Sequence, residues 1–258
     1  MGFDVSFHPI NENEMLEWYF DRLEEVRQND LTSVRALTQR FNMDDIYAEK
    51  YIHVLKTGAQ ADSDLAAPFD KTHGFYVAVA QGFFRTYFYL RGSMLTDLID
   101  SNPEFSRYTK PWKEILHTDF ARWAENKITE NYCSGVFLPY EQVRRIYDDY
   151  MNVPAVMVKM DAIFPNGHID VMLRAFGFCL ENRLGLLEAT EVIEPNPLDL
   201  NNSASYSNLY HCDTQGPLLY QQTALAEVAG AMAARNDKHK KPSGKSNKKG
   251  FFSRFFEK

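Results

Sequence analysis

Cysteine is scarce, with Cys133, Cys179 and Cys212 the only three in 258 residues. They are too few and too scattered for a disulfide-stapled scaffold, and no Cys-x-x-Cys exists to build a zinc cage. No two of the seven histidines stand four apart, so the helical metal motif with an intervening glutamate is absent and no metal ligand set is expected. Gly-x-Ser-x-Gly is missing, and so is any glycine-rich phosphate loop, which removes the common nucleophile elbow and nucleotide cradles. No cofactor is expected. No basic-then-apolar leader opens the chain, which points to the cytoplasm. The longest apolar stretch, 74–90, is interrupted by Gln81 and Arg85 and falls short of the roughly 20 residues that a membrane span needs. No repeat of fixed period is present.

Aromatic residues, by contrast, are plentiful at 14%, enough for a few large side chains to supply much of a core. The length fits one large domain or two small ones, and the absence of alternating strand and helix patterns favours one. Phe3, Val5 and Phe7 alternate with polar residues and read as a short strand ending at Pro9. Asn11 or Asn13 is placed to cap a helix through Leu16, Tyr19, Phe20, Leu23 and Val26. Helices follow at 31–41 and at 43–57, the second closed by Gly58. The 74–90 stretch reads as one buried central helix, and Trp112, Ile115, Leu116, Phe120, Trp123 and Ile128 mark another. Pro139 and Pro154 suit helix starts, where a missing N–H costs nothing. A helix over 168–184 stops at Gly185, Leu187–Ile193 reads as a strand able to pair with the first, and 195–216 is a long loop. Pro217 opens the last helix. The expected fold is therefore mainly α: a single helical domain, 1–234, with one small two-stranded β element and a disordered basic tail.

Candidate catalytic residues fall in two places. Asp70 and His73 precede the apolar stretch that contains Arg85, and an arginine among aromatics needs a carboxylate partner. Buried charge of that kind also marks catalytic pockets. His211 and Asp213 flank Cys212 in the long loop, where chains often carry function.

Charge is lopsided. Residues 235–258 hold nine basic and two acidic residues, +7, which leaves 19 basic and 33 acidic on the rest, −14. An acidic body repels phosphate backbones and attracts basic proteins, so a basic protein partner is expected and nucleic acid is not. Residues 235–250 have the composition of a flexible linker. In 251–258, helical spacing puts Phe251, Phe252, Phe255 and Phe256 within an arc of about 140°, with Ser253, Arg254, Glu257 and Lys258 on the other side. Lys245, Lys248 and Lys249 stand just before them. This is the layout of an interfacial helix that docks on an anionic membrane or on a partner's groove. The last eleven residues or so resemble the short amphipathic membrane-targeting ends of some bacterial division-site and protein-targeting GTPases and ATPases.

Two functional expectations follow. The first is a non-enzymatic protein-binding module, of the kind that bacterial immunity and antitoxin proteins represent, with a docking tail that makes it peripheral at the inner face of the cytoplasmic membrane. The alternative is a hydrolase with its site near Asp70, His73 and Arg85 or in the 195–216 loop.

Overall fold

The computed structural model describes residues 2–61, 68–116 and 124–240. Strand β1 (Asp4–Ile10) runs directly into helix α1 (Glu12–Met15) through a capping box, in which Asn11 Oδ1 accepts from the Glu14 N–H and Glu14 Oε2 accepts from the Asn11 N–H. A π-helical turn, Leu16–Phe20, joins α1 to α2 (Asp21–Arg27). Helices α3 (Thr32–Arg40) and α4 (Asp45–Gln60) follow, then α5 (His73–Gln81) and strand β2 (Phe88–Arg91). Next come α6 (Leu95–Ser101), α7 (Trp112–Ile115), β3 (Ser134–Leu138), α8 (Tyr140–Asn152), α9 (Pro154–Ile163) and α10 (His168–Asn182). Strand β4 (Gly185–Thr190), the short pair β5 (Ile193–Glu194) and β6 (Ala204–Ser205), and the long helix α11 (Gln215–Lys240) complete the described chain.

The fold is mainly helical and forms one domain, but its sheet has four antiparallel strands where two were expected, in the order β2-β1-β4-β3. The anticipated pairing of the first strand with 187–193 is present as β1 against β4, with Phe7 opposite Glu188. Helices cover both faces. Leu187, Ala189 and Phe137 face a core built with Trp18, Tyr19, Tyr51 and Leu55. Val5, Phe7, Phe88 and Leu138 face a second core with Leu98, Ile146, Met172 and Phe176. Burial on both faces erases the apolar–polar alternation that advertises a strand.

That effect explains the largest correction. Residues 74–90 are not one helix: the helix ends at Gln81, the chain turns over Gly82–Thr86, and Phe88–Arg91 is strand. Gly82 in this turn makes room for the Ser207 hydroxyl, which an added Cβ would overlap and which donates to the Val79 carbonyl at 2.8 Å. Gly58 does not close α4; it lies inside the helix, where an added Cβ would strike the Tyr19 ring. Gly185 is the first residue of β4, and Arg183 ends α10 in the left-handed conformation (φ 55°). Of the expected helix over 112–128, Trp112–Ile115 is helical and Ile128 sits in irregular chain; 117–123 lie outside the described residues. Pro9 is tolerated inside β1 because β2 stops pairing at Phe7, so the missing N–H faces no strand on that side.

Pro139 and Pro154 do start helices, as N-cap of α8 and first residue of α9. Helix α11 passes the composition break at 234 and continues to Lys240; the first helix-breaking residues, Pro242 and Gly244, come just beyond. Residues 241–258, including Lys245, Lys248, Lys249, Phe251, Phe252, Arg254, Phe255 and Phe256, lie outside the described residues. Among those described, no helix is long and apolar enough to cross a membrane.

Candidate functional site

The catalytic candidates are separately engaged within the fold. Asp70 is buried, and its Oδ2 accepts from the Glu125 N–H at 2.5 Å and the Asn126 N–H at 3.4 Å, while Ser134 Oγ approaches Oδ1 at 3.5 Å. Burial raises its pKa to about 6 against the pull of those backbone donors. His73 is buried among Phe20 and Phe69, with Nδ1 2.9 Å from the Tyr19 hydroxyl. Burial, with Arg27 nearby, lowers its pKa to about 4, so the ring is neutral at pH 7. Arg85 meets Glu14 instead, Nη2 to Oε1 at 2.5 Å, with its guanidinium 4.8 Å from the Trp18 ring. The carboxylate partner anticipated for it is therefore Glu14; Arg91 likewise pairs with Asp4.

The 195–216 loop runs along the sheet edge. The Tyr87 N–H donates to the His211 carbonyl, and the Asp213 N–H donates to the Tyr87 carbonyl. His211 Nδ1 lies 2.9 Å from the Gly82 carbonyl oxygen. Cys212 is buried, which pushes its thiol pKa far up and keeps it protonated. Asp213 Oδ2 accepts from Arg174 Nε at 2.8 Å while Oδ1 accepts from the Gln215 N–H at the start of α11. Arg174, Asp213 and Glu181 line an open cleft of about 420 Å³ with Phe88 and Phe178. With one base and two acids, that lining suits a cationic group better than an anion.

Sequence reasoning missed three buried polar arrangements. Glu188 is fully buried on β4, where Oε1 accepts from the Leu95 N–H at 2.5 Å and Oε2 from the Thr96 hydroxyl at 2.7 Å, with the Thr96 and Val136 N–H groups close by. Burial raises its pKa to about 7 despite these donors. His8 lies between Gln81 Oε1 (2.7 Å from Nδ1) and Ser6 Oγ (2.8 Å from Nε2), stacked on Tyr87. The Gln81 amide N–H groups serve the Pro9 and Thr86 carbonyls, so Oε1 must accept from His8 Nδ1–H, and Nε2 accepts from the Ser6 hydroxyl. Although the set resembles a nucleophile–base–orienter array, Ser6 and His8 are both sealed from solvent. Burial lowers the His8 pKa to about 4, with the Gln81 bond opposing it. Ser93 Oγ stands 2.7 Å from His168 Nδ1, joining the segment before α6 to the start of α10. Nothing local in β4, whose sequence is Gly-Leu-Leu-Glu-Ala-Thr, signals that Glu188 is buried. Among the described residues, no group of His, Cys, Asp and Glu is arranged to hold a metal.

Two exposed apolar surfaces stand out. At the α8–α9 corner, Met151 is 60% and Val158 63% exposed, with Met157 and Val153 also exposed. Asp148, Asp149 and Asp161 come from the same two helices; Asp149 takes the Arg107 guanidinium and the Tyr108 hydroxyl, and Asp161 accepts from Tyr150. The outer part of α11 is the other surface, where every residue from Leu225 to Ala233 is exposed. Comparison of the chain with protein-family models, with curated proteins and with solved structures returned no match.

Proposed function

We propose that the protein is a non-enzymatic binding module whose acidic body engages a basic protein partner, with its C-terminal segment directing the pair to an anionic membrane surface. The observation that carries this reading is the α8–α9 corner, where exposed Met151, Val153, Met157 and Val158 share two helices with Asp148, Asp149 and Asp161. Exposed apolar area of this kind marks an interaction surface, and methionine adapts to varied partners. The same helices also carry Arg144, Arg145 and Lys159, so the basic character of the partner follows from the net charge of −14 on residues 1–234. The placement of the catalytic candidates supports the same reading. Asp70, His73, Arg85, His211 and Asp213 each have partners within the fold, and the contacts described for them draw no two of them into a common cleft. The immunity-like role, neutralising a basic enzyme, is one form that such a module takes.

The test is capture of partners from the source cell at low salt, with wild-type chain and with the double variant Met151→Asp/Val158→Asp. The expected result is a basic protein that the wild type retains, the variant loses and added salt releases. Recovery of no partner, or of one indifferent to both salt and the variant, defeats the proposal.

A further inference from the structure

Among the described residues, helix α11 meets the body at its start. There Leu219 packs with the core beneath α10, and Tyr220 lies 6.2 Å from the Tyr89 ring and 5.4 Å from the Arg91 guanidinium. The large apolar residues beyond and beside that attachment are Leu218 (44% exposed), Leu225 (50%), Val228 (42%) and Met232 (64%). Their positions are not scattered: Leu218, Leu225 and Met232 are seven apart, and Val228 falls between as the alternate member of the heptad. Over Leu225, Val228 and Met232 this is the alternating three- and four-residue spacing of a short coiled-coil seam, with Gln221 at the alternate position before it. Ala224, Ala229 and Ala231 flank it, allowing a second helix to approach closely.

We infer that the outer part of α11 pairs with the same segment of a second copy of this chain, and that the two helices run antiparallel. Charge selects both the occupant and the direction. The chain from Arg235 onward carries +7 and the remainder −14. Parallel pairing sends two +7 tails out of one end and sets two −14 bodies side by side at the other. Antiparallel pairing separates like charges and brings each tail to the other copy's acidic body. The register that stacks Val228 on Met232 of the second copy also lays Leu225 along the stem of that copy's Arg235, whose charged head reaches solvent. The arm from Thr223 to Lys240 is about 27 Å long at 1.5 Å per residue, enough for these layers without overlap of the bodies at the helix itself. This pairing does not depend on the partner bound at α8–α9.

Sedimentation velocity of the full-length protein over about a hundredfold range of concentration tests the inference. Wild type is expected to pass from monomer to dimer, and Leu225→Asp/Met232→Asp to remain monomeric throughout, with the thermal transition of dilute, monomeric wild type, since both side chains are exposed in the single chain. Mixing Leu225→Cys and Arg235→Cys chains under mild oxidation then reads direction, because Cys133, Cys179 and Cys212 are buried. Antiparallel pairing yields the mixed disulfide between the two chains. A wild-type monomer at every concentration, a dimer that survives the aspartates, or disulfides confined to like chains each overturns the inference.

Discussion

Replacing Glu188 by glutamine isolates the energetic consequence of a buried carboxyl. In the folded chain burial raises its pKa to about 7, against an ordinary value of 4.5. The folded state then binds a proton more tightly than the unfolded chain does. The stability this contributes is complete below pH 4.5 and is lost as pH rises through 7. Between pH 5 and 8 the shift amounts to about 2–3 kcal/mol. Glutamine cannot ionise, so the variant escapes that loss. Its amide nitrogen, however, meets donors where Oε2 accepted from Thr96 and Val136, at a pH-independent cost of about 1–3 kcal/mol. The quantity to follow is therefore the slope of the difference. Urea unfolding followed by the fluorescence of the buried Trp18 and Trp112 gives it at each pH. Stability of Glu188→Gln minus wild type should climb by about 2–3 kcal/mol from pH 5 to pH 8 and flatten above it. His8 and His73, whose lowered values act in the opposite sense below pH 6.5, contribute to both proteins and cancel. A flat or falling difference would refute the reasoning, because it would mean that the donors from Leu95, Thr96 and Val136 outweigh desolvation and hold the carboxylate charged.

Further outcomes follow from the same contacts. Gly58→Ala should destabilise by about 1–3 kcal/mol in thermal or urea unfolding even though alanine favours helix, because the new Cβ displaces Tyr19 and disturbs its bond to His73; a neutral or stabilising result contradicts that packing. Gln81→Leu strands His8 Nδ1–H and the Pro9 carbonyl in the interior and should cost about 2–4 kcal/mol, read by the midpoint of urea unfolding. For the tail, full-length protein should sediment with anionic vesicles and Phe252→Asp/Phe255→Asp should remain in the supernatant. Each lysine near the surface contributes about 1 kcal/mol, so salt should weaken the wild-type interaction. Equal sedimentation of the two would remove the membrane role.

Much of the framework could be read along the chain because its signals are local. Asn11, one of the two asparagines offered as a cap, and Pro139 and Pro154 mark helix starts through backbone groups only a few residues away. Strand β1 was legible because Phe3, Val5 and Phe7 alternate with polar residues, of which the fold nevertheless buries Ser6 and His8. Its expected pairing with the later strand is present as β1 against β4. What failed depends on contacts distant in sequence. Phe75–Leu90 is predominantly apolar because α5 and β2 are both buried, and continuous burial carries neither a helical nor a strand period. Gly58 and Gly185 look like helix stops, but the first makes room for Tyr19 and the second lies against Phe137 and the Leu138 carbonyl. At the candidate sites, the cost of an arginine among aromatics foretold that Arg85 meets a carboxylate, though not that it would be Glu14. Glu188 was invisible because its donors come from Leu95 and Val136, 93 and 52 residues away. The arm of α11 was hidden as a surface because its exposed residues read simply as one more apolar helix.

Placing a photo-cross-linking residue at Val158, and separately at Ile46, tests most directly where the body meets its partner. Both positions are exposed, but α4, which carries Ile46, packs on the opposite face of the sheet from α9. Irradiation of the captured complex should join the basic partner to position 158 and leave position 46 unreacted. Adducts at 46 with none at 158 would contradict the assignment of the methionine-bearing α8–α9 corner as the binding surface.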